Sequence, residues 1–249
     1  MIKVLLCGAC GKMGGNVLSL LSEDKEATVV CGVDLYPKEI GVPVYRSFED
    51  VQEDVDVMID FSSPVGLQQR LEFAKSKGIG IVLASTGFTA EDLALIQSYE
   101  ASVAIFRTAN LSLGINLMQA LVKAAAQVLG EGFDVEIIEK HHNLKKDAPS
   151  GTALMLADSV NEAFDGGKQF VYGREGIVGA REKKEVGIHA VRGGTIVGDH
   201  EVIFAGEDEV ITISHSAASK RVFAVGAIRA AKWLIGKKPG RYEMKDMLA

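Results

Sequence analysis

Hydrophobic and polar positions follow two rhythms along the first hundred residues. Short runs that are almost wholly apolar and rich in β-branched residues predict buried strands, and apolar positions repeated every three to four residues predict helices between them. Strands that alternate with helices form parallel sheets with right-handed crossovers. We therefore expect an α/β fold at the start of the chain, a doubly wound parallel sheet of the Rossmann type. The predicted strands cover residues 4–7, 28–33, 55–61, 79–83 and 102–106, and the predicted helices cover 13–21, 67–74 and 90–99.

After residue 110 the pattern changes to an α+β arrangement. Long apolar-periodic stretches predict helices, and strand-like runs now follow one another directly along the chain. Successive strands separated by glycine-containing turns are typical of an antiparallel meander, so we expect a mixed or antiparallel sheet. The change of rhythm places a domain boundary near residue 110. The predicted helices cover 115–129, 151–164 and 223–235, and the predicted strands cover 133–139, 186–191, 195–205 and 210–215.

Composition narrows the class of protein. The 249 residues are 47% hydrophobic and 24% charged, a balance that supports a packed core and excludes intrinsic disorder. The formal net charge is −6, so the chain lacks the basic footprint of a nucleic-acid-binding protein. No apolar run approaches the roughly 18 residues of a membrane span, and the amino terminus lacks the pattern of a signal peptide. We therefore expect a soluble, cytoplasmic protein without nucleic-acid or membrane partners.

The three cysteines all stand within the first 31 residues, and their odd number does not favour a disulfide framework. Cys7 and Cys10 have the C-x-x-C spacing of redox and zinc sites, but no second cysteine pair accompanies them. We therefore expect neither a redox role nor a metal site there.

A glycine turn follows the first predicted strand and opens the first helix. Gly8, Gly11 and Gly14 have the spacing G-x-x-G-x-x-G, a relative of the dinucleotide fingerprint, in the strand–turn–helix context that the fingerprint requires. The first glycine allows a tight turn, the second lets the backbone approach a pyrophosphate, and the third lets helix and strand pack closely. The helix N-terminus supplies free N–H groups to the phosphates. A glycine turn in a ligand-free α/β protein is the alternative.

Asp34 ends the second strand, at the distance along the chain where an acid meets the adenosine ribose of a dinucleotide. A carboxylate there accepts hydrogen bonds from the 2′-hydroxyl and repels a 2′-phosphate, which favours NADH. Leu35 follows, where an arginine would hold the phosphate of NADPH. Lys12 in the turn and Lys38 beyond the strand leave the use of NADPH open.

Loops at the carboxyl ends of parallel strands line the ligand cleft of such folds. Three of them, at 61–64, 84–88 and 107–111, contain serine, threonine or asparagine residues that could contact ribose and nicotinamide. Each of these residues alone is equally compatible with turn formation. Their shared placement favours cofactor binding.

The most informative segment lies between the strand that ends near Lys140 and the helix that begins near Ser150. It contains two histidines and several lysines, and Ser150 is a good N-cap residue. Free amides at a helix start together with nearby cations form a site for a carboxylate, and histidine transfers protons near neutral pH. A solvated basic loop is the alternative. We do not expect a metal site, because no further ligands complete a set.

This segment resembles a known family. Residues 136–153 contain E-x-x-E-x-H-H, a lysine and D-x-P-S-G-T-A, which is similar to the signature of the 4-hydroxy-tetrahydrodipicolinate reductase (dihydrodipicolinate reductase) family. Two positions depart from the family pattern: Leu111 stands where phenylalanine is common, and Lys220 replaces an arginine. The resemblance extends over the glycine turn, 85–88, 109–110, 192–194, 197–200 and 223–234.

The resemblance implies a fold, an activity and an assembly. It implies a dinucleotide-binding domain over residues 1–110, a C-terminal helix (221–249) that returns to it, and a substrate-binding and oligomerisation domain over 111–220. Members of the family pass a hydride from NADH or NADPH to a cyclic imine dicarboxylate in the diaminopimelate route to lysine. A homotetramer is implied as well.

The resemblance also implies residue roles by motif position. His141 is the expected proton donor or acceptor, and Lys145 is a second proton donor. The residues expected to hold the substrate are His142, Lys145, Ser150, Gly151 and Thr152. The expected cofactor contacts are Gly8, Ala9, Cys10, Gly11, Lys12, Met13, Asp34, Ala84, Ser85, Thr86, Thr108, Ala109, Asn110 and Leu111.

Two other functions stand beside the reductase. An aldehyde or amino-acid dehydrogenase with acyl chemistry would need a nucleophilic cysteine in the second domain, and all cysteines lie by residue 31. An NADH-sensing regulatory module would need a nucleic-acid-binding element, for which the chain has neither spare length nor a basic patch. The residues favour the reductase.

Overall fold

The computed structural model describes residues 1–248 and divides the chain into two compact units. Unit 1 comprises Met1–Ser112 together with the chain from Arg221 onward, and unit 2 comprises Leu113–Lys220. Each unit has its own sheet and its own hydrophobic core. Strands and helices are numbered in chain order through both units.

Unit 1 is built on a seven-stranded sheet in which all strands run parallel. Its strands are β1 (Ile2–Cys7), β2 (Ala27–Val33), β3 (Val44–Tyr45), β4 (Val57–Asp60), β5 (Gly80–Leu83), β6 (Ala104–Arg107) and β12 (Gly240–Tyr242). The order β12-β6-β5-β4-β1-β2-β3 places β1 inside the sheet, with the chain winding outward on both sides of it. The predicted doubly wound α/β fold is therefore confirmed.

Helices connect the strands of unit 1 and cover its sheet. They are α1 (Lys12–Leu21), α2 (Leu67–Lys77), α3 (Ala90–Tyr99), α6 (Arg221–Leu234) and α7 (Met244–Leu248). Helices α2 and α3 pack over a core that includes Leu71, Ile81, Ile96 and Ile105. Helix α6 contacts α1, β4, β5 and β6, so the last long helix of the chain packs in the same unit as the first strand.

Unit 2 contains two helices and a five-stranded sheet. Its elements are α4 (Leu113–Leu129), α5 (Gly151–Ala163), β7 (Asp134–His141), β8 (Gln169–Tyr172), β9 (Glu185–Arg192), β10 (Asp199–Ala205) and β11 (Val210–Ser216). Both helices form one core with the sheet, which includes Met118, Leu156 and Phe204. The strand order is β11-β10-β7-β9-β8.

The expected mixed sheet is confirmed, but the predicted antiparallel meander is wrong in part. Strands β10 and β11 form an antiparallel hairpin, whereas β7 lies between β9 and β10 and pairs with both, parallel to β9 and antiparallel to β10. Glycine turns show where the chain reverses. Which strands pair depends on which apolar faces meet the helices, and that choice involves residues far apart in sequence.

Helix α4 corrects the expectation that no segment approaches the length of a membrane span. With the short 3₁₀ turn that follows it, the segment Leu113–Gly132 is long and apolar enough, by length and composition only, to cross a membrane. The core helix of a soluble protein passes the same test, so this is weak evidence of a span. One side of α4 packs into the core of unit 2 through Ile115, Met118, Val122 and Ala126, and the other side exposes Leu117, Leu121 and Val128.

Candidate active site

The glycine turn lies between β1 and α1 in unit 1. Gly8 has a φ of +71°, and a side chain there would meet the backbone of Phe61 at 2.9 Å. A side chain on Gly14 would overlap the carbonyl oxygens of Gly8 and Ala9. Gly11 is the N-cap of α1 and brings no capping side chain, so amides at the helix start are available to a phosphate. The turn has the close backbone approach that a dinucleotide requires.

Asp34, directly after β2, is bound to the glycine turn. Its carboxylate accepts hydrogen bonds from the amides of Cys10 and Tyr36, both at 3.0 Å. Asp34 also lines a cavity of about 850 Å³ in unit 1. Gly8 and Arg46 line the same cavity. The cavity wall therefore contains a cationic side chain as well as Asp34 and part of the glycine turn.

A buried ion pair joins two further strand ends of unit 1. Asp60, the last residue of β4, is fully buried, accepts hydrogen bonds from the amide and hydroxyl of Ser62, and accepts one from the Ser85 hydroxyl at 3.2 Å. The guanidinium of Arg70, on α2, lies 3.1 Å from Asp60 and donates to the carbonyl oxygen of Ser63 at 2.6 Å. The loops after β4 and β5 are thereby fixed to each other.

The other predicted cofactor residues follow β5 and β6. Thr108 and Asn110 form hydrogen bonds within their own segment, and Thr86 is exposed after β5. Since β6, β5, β4, β1 and β2 are parallel neighbours in that order, their carboxyl ends share one edge of the sheet. The structure therefore brings all the predicted cofactor contacts to the same edge of unit 1.

The second predicted site lies in unit 2, where β7 ends. Nδ1 of His141 lies 2.6 Å from Oε2 of Glu139. Glu139 is fully buried and receives two guanidinium nitrogens of Arg192, on β9, at 2.7 and 2.8 Å. Burial raises the pKa of the Glu139 carboxyl, but hydrogen bonds from Arg192 and His141 outweigh burial and bring this pKa below its usual value. A charged carboxylate thus orients the His141 ring.

Ser150 caps α5 and connects the helix to the same carboxylate. Its hydroxyl oxygen accepts the amide of Ala153 at 3.1 Å, and its own amide donates to Oε1 of Glu139 at 2.9 Å. The hydroxyl also lies 2.9 Å from Nε2 of His200, on β10. Burial, followed by the nearby His141, lowers the pKa of His200 to about 4, so the His200 ring is neutral at pH 7.

Lys145 lies in the loop between β7 and α5. Its Nζ contacts both carboxylate oxygens of Asp147, at 2.8 and 2.9 Å. His142 precedes it and is half-buried, and the first turn of α5 begins with exposed Gly151 and half-buried Thr152. An ammonium group, an imidazole and a helix N-terminus therefore share one short segment, and each of these groups binds carboxylates.

The cysteines are all free, and Cys7 and Cys31 are buried. Burial raises the pKa of Cys7 well above its usual value and that of Cys31 to about 12. Both of these thiols are therefore protonated at neutral pH. Within residues 1–248, no group of three or more His, Cys, Asp and Glu side chains is arranged to hold a metal ion.

Sequence reasoning assigned no role to five residues that organise these two sites. The sequence contains a local signal for Asp60 and Glu139, because each lies at or near the end of a predicted apolar strand, and an acid that is buried there needs a partner. Their partners Arg70 and Arg192, and His200, which contacts Ser150, come from other elements and have no such signal.

Comparisons with known proteins cover the whole chain. The sequence profile described as "Dihydrodipicolinate reductase, N-terminus" matches residues 2–111, and the one described as "Dihydrodipicolinate reductase, C-terminus" matches residues 114–248. The 4-hydroxy-tetrahydrodipicolinate reductase of Caldanaerobacter subterraneus subsp. tengcongensis is 51% identical over 248 residues, which cover 100% of this chain and 98% of that protein. The protein of the same name from Clostridium botulinum is 46% identical over 249 residues, with the same coverage.

Solved structures agree. "Dipicolinate bound Dihydrodipicolinate reductase from Paenisporosarcina sp. TG-14" superposes with a TM-score of 0.80 at 26% identity and covers 99% of both chains. A probable dehydrogenase from Thermotoga maritima shares the fold alone, with a TM-score of 0.63 at 12% identity over 99% of this chain and 92% of that one. The chain therefore belongs to the dihydrodipicolinate reductase family, oxidoreductases of lysine biosynthesis through diaminopimelate.

Proposed function

We propose that this chain reduces 4-hydroxy-tetrahydrodipicolinate to tetrahydrodipicolinate with NADH and/or NADPH. The reaction takes up a hydride and a proton and releases water, so it requires a nicotinamide cofactor, a proton donor and cations for two substrate carboxylates. The observation that supports the proposal most strongly is the segment from the end of β7 to the start of α5, which contains both His141 and Lys145 in a chain of this family.

Cofactor binding is proposed for unit 1, in the range 1–110 with the returning segment 221–249. The turn from Gly8 to Met13 would hold the pyrophosphate on backbone amides, and the segments 84–86 and 108–111 would hold ribose and nicotinamide. When bound, the cofactor supplies the hydride. The fixed strand-end loops and the glycine turn would keep the cofactor in one orientation.

Asp34 supports NADH as the preferred cofactor. Its oxygens accept two backbone amides, and the remaining lone pairs can accept a ribose hydroxyl. Arg46 lines the same cavity and supports NADPH as a second cofactor, because a guanidinium binds a phosphate bidentately.

Substrate binding is proposed for unit 2, in the range 111–220. Lys145 supplies charge, and the amides at the start of α5 supply N–H donors for a carboxylate. The residues proposed to hold the substrate are His142, Lys145, Ser150, Gly151 and Thr152.

Proton donation is proposed for His141. Glu139 occupies Nδ1, so Nε2 is the nitrogen left for the substrate. A side chain at Gly198 would lie 3.1 Å from Nε2, and the glycine keeps that space open. Lys145 is the second proposed proton donor.

A homotetramer is proposed as the working assembly, in the cytoplasm and without membrane or nucleic-acid partners. Apolar side chains exposed on unit 2 support the assembly, because isolated soluble proteins rarely leave large apolar patches in water. The exposed apolar side chains of unit 2 include Ile177 and Val178 between β8 and β9, Val210 on β11, and Leu117 and Val128 on α4.

A coupled assay tests the function. A synthase condenses pyruvate with aspartate semialdehyde to make the substrate in place, and this chain is then added with NADH. We expect rapid NADH oxidation that stops when the synthase is omitted. Oxidation no faster than the background without this chain would overturn the proposal.

Variants of the loop test the mechanism. We expect His141→Ala and Lys145→Ala each to lower kcat by about 100-fold or more, with unchanged NADH affinity, because proton transfer and not cofactor binding is lost. Lys146→Ala is the matched control, since Lys146 is exposed in the same loop. An equal loss of activity in Lys146→Ala would contradict specific roles for the two residues.

A further inference from the structure

The Glu139 carboxylate is saturated by four hydrogen bonds, although it lies in the interior of unit 2. Oε1 accepts Nη2 of Arg192 at 2.8 Å and the amide of Ser150 at 2.9 Å. Oε2 accepts Nη1 of Arg192 at 2.7 Å and faces Nδ1 of His141 at 2.6 Å. One carboxylate thus contacts both the proposed proton donor and the residue that starts the substrate-binding helix.

Arg192 extends these contacts to Lys145. The same Nη2 that binds Glu139 also donates to the backbone oxygen of Asp147 at 2.7 Å. The side chain of Asp147 in turn contacts the ammonium group of Lys145. The backbone after β9 is tied to the same place, because the amide of Gly193 donates to the carbonyl oxygen of His141 at 2.9 Å.

We propose that Glu139 and Arg192 are a positioning pair that sets the charge and orientation of His141 and holds His141, Lys145 and the start of α5 in one geometry. The proposal rests on the proposed function, which makes His141 the proton donor. Neither residue of the pair needs to touch the substrate. The alternative is an ion pair that only stabilises unit 2.

The two members of the pair act on His141 in opposite directions. Glu139 places a negative charge beside the His141 ring and Arg192 places a positive charge against the same carboxylate, so removal of either residue changes the charge next to the ring. His200 is the other titratable group against the ring, with its ring centroid 5.2 Å away. His200 is neutral at pH 7 and adds no opposing charge. Asp199 and His215 act on His200 from β10 and β11.

Opposite shifts in the pH dependence of kcat test the pair. Glu139→Gln removes the stabilising charge, so we expect the pH at which kcat falls by half to move down. Arg192→Gln leaves the carboxylate unbalanced, so we expect that pH to move up. Both variants should lower kcat about tenfold or more at neutral pH, with KM for NADH within about twofold of the parent value. Parallel losses with unmoved pH midpoints, or shifts in the same direction, would overturn the proposal.

Two further variants separate positioning from stability. Arg192→Lys keeps the positive charge, but an ammonium group lacks the forked geometry of a guanidinium and cannot bind both Glu139 and Asp147. The pH midpoint of this variant should therefore stay near that of the parent. Its kcat should lie between those of Arg192→Gln and the parent. Glu162→Gln is the control for the acid, because Glu162 is an ion-paired glutamate of unit 2 whose partner is Lys123. Glu162→Gln should leave kcat and its pH midpoint unchanged. If Glu139→Gln does not fold, the two Arg192 variants decide, since Arg192 is partly exposed.

A measurement without turnover distinguishes this proposal from the proposed function. Protein labelled with ¹⁵N-histidine should show a low-field Nδ1 proton on His141, identified by its absence in His141→Gln and absent as well in Glu139→Gln. Binding of dipicolinate, measured by calorimetry, should weaken in Arg192→Gln. Unchanged histidine spectra in Glu139→Gln would sink the positioning role even if the reductase assay succeeds. If the reductase assay fails but the spectra are as expected, the positioning pair is supported and the proposed reaction is wrong.

Discussion

Three acids in this chain lie at or near the carboxyl ends of strands, and each binds groups that are distant in sequence. Asp34 binds the glycine turn, Asp60 binds α2 and the loop after β5, and Glu139 binds β9 and α5. The spacing of the glycines and the position of Asp34 are local features, so the sequence predicts them. The partners of Asp60 and Glu139 depend on which strands become neighbours, so the sequence alone does not predict them.

Asp34 and Arg46 should divide the cofactor preference between them. We expect Asp34→Ala to raise kcat/KM for NADPH relative to NADH, because the repulsion of a 2′-phosphate is removed. Arg46→Ala should lower kcat/KM for NADPH by about tenfold or more while that for NADH stays the same, because a charged hydrogen bond is lost. Steady-state kinetics with both cofactors give the ratios. Unchanged ratios of kcat/KM for the two cofactors in both variants would refute these roles. Lys38→Ala, measured in the same assay, tests whether Lys38 also affects the preference.

His200 should make the protein less stable in acid. Its pKa is about 4 in the folded chain and 6.5 for the exposed group, so the unfolded state binds more protons between these values and the free energy of unfolding falls as pH decreases through this window. From this group we expect a loss of about 2 kcal/mol between pH 7 and pH 5. Chemical denaturation at pH 7 and at pH 5 should show a smaller loss of unfolding free energy in His200→Gln than in the parent protein. Equal losses in the two proteins would disprove the assignment.

At the scale of elements, the long periodic segments are the predictable part. The helices α3, α4, α5 and α6 begin and end within about two residues of the predicted bounds, because their apolar positions repeat over several turns. Strands β3, β8 and β12 are not predicted. They stand at sheet edges and have only two to four residues, and an edge strand needs no continuous apolar run.

Helix α6 shows how an element close to the C-terminus supports a predicted cofactor segment. A side chain on Gly226 would overlap the carbonyl oxygen of Leu111, so the helix and the segment 108–111 touch through backbone. We expect Gly226→Ala to destabilise unit 1 by about 1–3 kcal/mol and to weaken NADH binding. Thermal melts and fluorescence titration with NADH measure the two effects.

Gly15→Ala is the control for this substitution. Gly15 is also helical, but a side chain there meets nothing within 4 Å, so alanine should leave the melting temperature unchanged or raise it. A Gly226→Ala protein as stable as Gly15→Ala would show that α6 can shift without cost.

At the scale of the whole molecule, the exposed apolar side chains of unit 2 are the candidates for contacts between copies of the chain. Ile177 is fully exposed on the connector between β8 and β9, and one side of α4 is apolar although it faces away from the core of unit 2. Hydrophobic patterning predicts apolar positions but does not say whether the same chain or another copy covers them.

Light scattering should give a mass about four times the 26.6 kDa of one chain. We expect Ile177→Lys to shift the mass toward smaller species, because a charge cannot be buried in an apolar contact without a partner. Leu93→Lys, in an exposed apolar position of unit 1, should keep the parent mass. A mass of one chain for the parent protein would contradict the tetramer.

The sequence by itself determined the doubly wound sheet, the glycine turn with Asp34, and the segment with His141, Lys145 and Ser150, because spacing and periodicity are properties of neighbouring residues. Only the tertiary structure decided that β7 separates β9 from β10, which places Arg192 and His200 on either side of β7. The same pairing brings Arg192 to Glu139 across 53 positions of the chain. Contacts of that kind follow from strand register and from the burial of whole faces, which no local pattern contains.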